Sequence, residues 1–68
     1  MELAQIDVLR FLITKAPGRT AEQLAHAIYG RRSAKEFVVR DLNILLMRGS
    51  IDRRGGGLRG YRYYPISA

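Results

Sequence analysis

The sequence predicts an α+β fold, mainly α, in which three helices are followed by a C-terminal β-hairpin. Capping-box signatures at Thr20–Gln23 and Ser33–Glu36 indicate the starts of two helices, because each precedes apolar residues at helical spacing. Beyond Gly49 the chain is rich in β-forming residues on either side of Gly55–Gly57, which is typical of a hairpin. At 68 residues we expect a single domain, residues 1–68.

The first helix is expected at about residues 2–15, and Pro17-Gly18 ends it. Its apolar residues cover a broad arc of the helix surface, which suits a helix packed on two sides. They are Ala4, Ile6, Val8, Leu9, Phe11, Leu12 and Ile13. One side would face the domain's own core and the other a second subunit, so we expect a homodimer formed through helix 2–15.

The second helix is expected at residues 20–29, with Thr20 at its N-cap and Gly30 just beyond its last turn. The third is expected at residues 33–48, beginning with Ser33 at its N-cap and stopping at Gly49. The expected core face of the third helix consists of Val38, Leu42, Leu45 and Leu46, extended to one flank by Ala34, Phe37 and Ile44. The opposite face is polar, and it is cationic at its N-terminal end.

The hairpin is expected at about residues 50–64, with Ile51–Arg54 as its first strand and Gly55–Gly57 as its tip. Residues Arg59–Tyr64 form the expected return strand, because they are rich in β-formers. The sequence leaves two alternatives for the residues that this strand buries: Tyr61 with Tyr63, or Tyr64 with Ile66.

The net positive charge lies entirely in the second half of the chain. Residues 1–30 have as many cations as carboxylates, whereas residues 31–68 carry nine cations and three carboxylates and so hold the whole net charge of +6. Self-repulsion of this size destabilises a small domain, and a polyanionic partner would relieve it. We therefore expect the second half to form a surface for nucleic acid.

The order of these elements resembles the winged helix-turn-helix family over nearly the whole chain. It is similar in particular to the N-terminal module of the deo-repressor family of sugar-operon regulators. The stretches that carry the resemblance are Arg19–Ala25, Arg40–Asn43, Gly49 with Ile51, and Arg53–Gly56. The turn Gly30–Ser33 departs from that family, because it is longer and places two arginines where a buried Val is usual. Since no residues correspond to the ligand-binding domain of those repressors, the resemblance implies a small stand-alone DNA-binding protein of the kind found on phages, plasmids and mobile elements.

The third helix is expected to enter the major groove of double-stranded DNA, which admits an α-helix. Arg40 and Asn43 are the expected base contacts, since Arg matches the acceptors of guanine and Asn the edge of adenine. Phosphate contacts are expected at the start of the helix, and backbone or minor-groove contacts from residues 53–60 of the hairpin. The candidate DNA-binding residues are Arg31, Arg32, Ser33, Lys35, Glu36, Arg40, Asn43, Arg53, Arg54 and Arg59. Glu36 is interpreted chiefly as the capping partner of Ser33, with cytosine as its alternative contact.

The leading functional prediction is a small transcriptional regulator that binds specific DNA sequences as a homodimer. Two alternatives remain: a phage- or plasmid-type adaptor that docks on an acidic protein, and an RNA or single-strand binder that stacks bases on Tyr61, Tyr63 and Tyr64. We expect no enzyme, metal site, cofactor or small-molecule ligand, because the chain has no cysteine, a single histidine and no phosphate-binding motif. With no apolar run long enough to span a bilayer and no basic signal-peptide start, a cytoplasmic protein without membrane association is expected.

Overall fold

The structure is a computed structural model, and it describes residues 5–66. Three helices and a three-stranded antiparallel sheet confirm the prediction of an α+β, mainly α, fold. Along the chain the elements are α1 (Gln5–Lys15), β1 (Arg19–Thr20), α2 (Ala21–Tyr29), a 3-10 turn (Arg32–Ala34), α3 (Lys35–Met47), β2 (Ile51–Gly55), a second 3-10 turn (Gly57–Arg59) and β3 (Tyr61–Pro65). The part of the expected helix 2–15 that precedes Gln5 lies outside the described residues.

The sheet has the strand order β1-β3-β2, so the return strand of the hairpin is central. The hairpin pairs Arg53 with Tyr63 and Arg54 with Arg62, and β1 pairs with the other edge of β3. The sequence did not predict β1, because two residues are too few to show a period. The strand forms because Thr20 is extended (φ −81°, ψ 166°), as an N-cap residue must be, and this conformation also suits a sheet edge.

The predicted start and end of α2 are both confirmed. The Thr20 hydroxyl accepts a hydrogen bond from the Gln23 amide at 3.3 Å, and the Gln23 side chain accepts one from the Thr20 amide at 2.9 Å. At the other end Gly30 is left-handed (φ 75°) and donates its amide to the His26 carbonyl. The box fixes the start of α2 beside the sheet, where the helix faces α3 and the hairpin.

The predicted capping box at the start of α3 is wrong. Ser33 lies within the 3-10 turn, and the N-cap of α3 is Ala34 (φ −83°, ψ 9°), with no side-chain capping hydrogen bond. Ala34 is buried in the core, and this burial holds the chain in a tight turn where an N-cap residue would need to be extended. Glu36 is consequently an exposed residue of the first turn of α3 and not a capping partner.

The core is formed by one face of each helix together with one face of the sheet. Its buried residues are Leu9, Ile13, Ala21, Leu24, Ala25, Ala34, Val38, Leu42, Leu45, Ile51 and Tyr63. Most of the apolar arc of α1 is buried or partly buried in this core, and Phe11 is its exposed member, at 61%. The prediction that Phe37 and Ile44 extend the core face of α3 is wrong, because they point away from it, and Phe37 instead packs against Tyr29 at the surface, with 6.2 Å between ring centroids.

The hairpin differs from its prediction at the tip. Gly55 is the last residue of β2, and Arg59 belongs to the 3-10 turn and not to the return strand. Neither predicted pair is buried as a whole. In the second pair Tyr64 is partly buried and Ile66 is 49% exposed. In the first pair Tyr63 is 5% exposed whereas Tyr61 is 42% exposed. The reason is geometric: the hairpin extends beyond the helices, so its face changes from core to surface between these two residues.

Candidate nucleic-acid interface

A groove of about 500 Å³ separates α3 from the hairpin. Three elements contribute to it: the start of α2, one side of α3, and the inner face and tip of the hairpin. The lining residues are Thr20, Ala21, Glu22, Lys35, Val39, Asn43, Arg53, Gly57, Leu58, Gly60, Tyr61 and Tyr63. The groove therefore brings together three of the predicted site residues, namely Lys35, Asn43 and Arg53.

The side of α3 that lines the groove carries Lys35, Val39 and Asn43, which recur every four residues and so lie along one line of the helix. Arg40 lies about 60° further round the helix than Asn43, at 100° per residue. Arg40 and Glu36 are both exposed on this outer strip of α3. Asn43 thus stands at the rim of the groove, between its interior and the outer strip.

An ion pair joins the two helices inside the groove. The Lys35 ammonium lies 3.8 Å from the Glu22 carboxylate, and both side chains are about half exposed, at 52% and 53%. A pair this exposed contributes little to the stability of the fold, because water screens it. The pair does affect the charge of the groove, because it places one carboxylate among the cations that line it.

The two arginines of the hairpin, which the sequence placed in one cluster, lie on opposite faces. Arg53 is in register with buried Tyr63, faces the groove, and stacks over the ring of Tyr61 at 4.2 Å. Arg54 points to the back face, where it stacks over Tyr64 at 4.8 Å and pairs with a carboxylate at 3.7 Å. Only Arg53 therefore shares a surface with the side of α3 that lines the groove.

The cations that precede α3 lie outside the groove. Arg31 is exposed and extended just before the 3-10 turn, and Arg32 is exposed within the turn. Arg32 borders a shallow depression on the outer side of α2 with Gln23 and His26. Ser33 is exposed in the same turn, and the backbone of Arg59 lies in the turn at the hairpin tip.

Burial at the floor of the groove changes the acidity of one group. Desolvation raises the pKa of the Tyr63 hydroxyl above its ordinary value of 10.0, and the neighbouring Arg53 guanidinium partly offsets this rise. Tyr63 is therefore a neutral hydroxyl at physiological pH. It adds no negative charge to a surface whose hairpin side is cationic.

Sequence reasoning missed two groups in the groove. Glu22 has no sequence signal for its position, because its contact with Lys35 depends on how α2 packs against α3. Leu58 is fully exposed at the hairpin tip, between residues Gly57 and Gly60, which both have positive φ. Its position in a glycine-rich turn between basic strands is a sequence signal that predicts an exposed apolar side chain at the hairpin tip.

The comparisons add no relative from which a function could be transferred. Within residues 5–66 no three metal-ligating side chains come together, and no helix in that range is long and apolar enough to cross a bilayer. No protein-family model, curated protein or solved structure matches this chain.

Proposed function

We propose that this chain binds double-stranded DNA as a small winged helix-turn-helix protein. The observation that carries the proposal is the arrangement of charge around α3. Lys35 and Arg53 line the groove on one side of the helix, Asn43 lies at the rim of that groove, and Arg40 lies on the exposed outer strip beside it. A polyanion that follows this surface would contact cations and base-matching side chains on one continuous face.

The proposed orientation places α3 in the major groove. With 13 residues α3 is about 20 Å long, and the width of an α-helix fits that groove. Arg40 and Asn43 are three residues apart on neighbouring positions of the helix surface, so they reach adjacent base pairs. Arg suits the two acceptors of guanine, and Asn suits the donor and acceptor of adenine.

Phosphate contacts would supply most of the affinity. The hairpin approaches the adjacent backbone or minor groove with Arg53. The glycines of its tip have no side chains to hold the backbone away from the DNA, and Leu58 is the exposed apolar side chain between them. Arg31 and Arg32, both exposed beside the start of α3, approach the backbone on another side. Arg54, on the back face of the hairpin, contributes less to the affinity for DNA.

We further propose that the chain acts in the cytoplasm as a transcriptional regulator and as a homodimer on two half-sites about one helical turn apart. A dimer contact through α1 would centre on Phe11, since the rest of the apolar arc described for α1 is buried or partly buried in the domain itself. The Lys15 ammonium lies over the Phe11 ring, 5.5 Å from the ring centroid. Sedimentation of the wild-type chain and of Phe11→Glu, with and without DNA, tests this contact.

The test of DNA binding is a selection from random duplexes followed by titrations of the selected sequence between 50 and 200 mM salt. We expect the logarithm of the affinity to fall with the logarithm of salt by about 0.9 for each phosphate contact. Arg40→Ala with Asn43→Ala should reduce discrimination between selected and scrambled duplexes without changing that slope. Salt-independent binding would contradict the proposal, and a preference for RNA or single strands would favour the stacking alternative.

A protein-interaction adaptor is a second candidate because of one exposed apolar surface. Phe37 is 60% exposed and packs against Tyr29, while Ile44 lies seven residues further along the same flank of α3. This flank is on the other side of α3 from the groove. Loss of partner binding in Phe37→Ser, with duplex binding absent in the wild-type chain, would favour this candidate over DNA binding.

A further inference from the structure

Glu22 is the acidic member of an otherwise neutral or cationic groove. It is the second residue of α2, and its carboxylate lies 3.8 Å from the Lys35 ammonium. Arg53 lines the hairpin side of the same groove. A carboxylate in this position repels the phosphates that the two cations would attract, so its presence requires a physical account.

The geometry of a duplex indicates which part of the DNA would meet these residues, and this step rests on the proposed function. The major and minor grooves of a duplex are separated by a sugar-phosphate strand. If α3 lies in the major groove and the hairpin in the adjacent minor groove, that strand must pass between them. The space between them is the groove that contains Glu22, Lys35 and Arg53.

We propose that Glu22 competes with this strand for Lys35 and thereby limits the affinity of the chain for the DNA backbone. In the free protein the carboxylate neutralises the ammonium. When the strand enters, Lys35 turns to a phosphate and Glu22 is left beside the phosphates without its partner. Because the pair is half exposed and screened, exchanging one anion for the other costs little, and the remaining repulsion lowers the affinity.

The consequence is a lower affinity for every duplex. The repulsion acts on every duplex equally, because it involves the backbone, whereas Arg40 and Asn43 would gain contacts only at matching bases. A penalty common to all duplexes cancels from the ratio of affinities for two sequences, so that ratio stays with the base contacts. Glu22 thus limits the affinity for the DNA backbone and touches no base.

A second ion pair provides a matched control. Asp52 pairs with Arg54 at 3.7 Å on the back face of the hairpin, and its side chain is 53% exposed, the same as that of Glu22. Glu22→Gln and Asp52→Asn each remove one negative charge and keep the shape of the side chain. The two variants therefore have the same net charge. They differ in where the carboxylate is lost, which is the groove in Glu22→Gln and the back face of the hairpin in Asp52→Asn.

The experiment measures the affinity of both variants for a duplex of unrelated sequence, by fluorescence anisotropy between 50 and 200 mM salt. We expect Glu22→Gln to bind about fivefold more tightly than the wild-type chain at the lower salt, the size of one unit-charge contact at ~4 Å in water. Its salt slope should be steeper by about 0.9, because the variant has no unpaired carboxylate that retains a cation beside the phosphate that Lys35 contacts. Asp52→Asn should change both quantities much less.

Two further variants complete the design. Glu22→Ala, which removes the carboxylate in a different way, should show the same gain, and circular dichroism confirms that each variant is folded. In a Lys35→Gln background, Glu22→Gln should gain less than it does in the wild-type chain, since the competition for Lys35 no longer exists. Equal gains in Glu22→Gln and Asp52→Asn would overturn the inference alone, whereas a wild-type chain without salt-dependent duplex binding would overturn the proposed function as well.

Discussion

The two faces of the hairpin carry nearly the same residue types in different surroundings. On the groove face Arg53 stacks over Tyr61 beside buried Tyr63, and on the back face Arg54 stacks over Tyr64. The groove face continues into the core and looks toward α3, while the back face does not line the groove. Because side chains of a strand alternate between faces, neighbouring arginines in the sequence cannot serve one surface.

The largest expected difference between the faces concerns stability. Tyr63→Ala should lower the free energy of unfolding by about 3–5 kcal/mol, the usual cost of removing a buried aromatic ring. A domain of this size has a total stability near the lower end of about 5–15 kcal/mol, so this variant should be largely unfolded at 37 °C. Tyr64→Ala removes a partly buried ring and should cost about 1–2 kcal/mol. Thermal and urea denaturation, followed by circular dichroism, measure both values.

Equal losses in these two variants would contradict the assignment of Tyr63, and not Tyr64, to the core. Tyr63→Phe and Tyr64→Phe are the controls, because they keep the rings and remove the hydroxyls alone. Both should remain folded at neutral pH. A large loss in Tyr64→Phe would indicate that the back face depends on its hydroxyl.

The next largest expected difference between the two faces concerns the affinity for double-stranded DNA. Arg53→Ala should weaken duplex binding about tenfold and reduce the salt slope by about 0.9, because it removes a cation from the groove. Arg54→Ala, which has the same change in net charge on the back face, should weaken binding about twofold through the overall field. Titrations of one duplex at several salt concentrations measure both effects. If Arg54→Ala proves the more damaging, the back face of the hairpin contacts DNA and the proposed orientation is wrong.

The sequence was a good guide wherever structure depended on neighbouring residues. The Thr20–Gln23 box formed as predicted because both of its hydrogen bonds lie within four residues. The Ser33–Glu36 pattern has the same residue spacing and failed, because burial of Ala34 imposes a turn on the preceding residues. A local pattern cannot report where the core will be, so it cannot distinguish these two cases.

The candidate site was predictable in part for the same reason. The sequence pointed to Lys35, Asn43 and Arg53 by type, and the fold brings these three into one groove. The separation of Arg53 from Arg54 follows from the alternation of a strand and was available from the sequence. The pairing of Glu22 with Lys35 was not, since it depends on the packing of α2 against α3.

The smallest expected difference between the two faces is a dependence of stability on pH. Burial raises the pKa of Tyr63 above 10.0 in the folded chain, and the neighbouring Arg53 guanidinium partly offsets the rise. A group with a higher pKa when folded than when unfolded stabilises the fold fully below its unfolded pKa, and that stabilisation is lost as the pH rises through the folded pKa. The free energy of unfolding should therefore fall above about pH 10 in the wild-type chain.

Tyr63→Phe should lose less stability over this range, because the buried hydroxyl that must ionise is absent. Urea denaturation at intervals between about pH 9 and pH 11.5 spans the ordinary tyrosine pKa and measures this difference. Parallel curves for the wild-type chain and Tyr63→Phe would mean that the hydroxyl at the floor of the groove is hydrated. The groove face would then be no drier than the back face, and a DNA strand entering it would displace water from Tyr63 as well as from the cations.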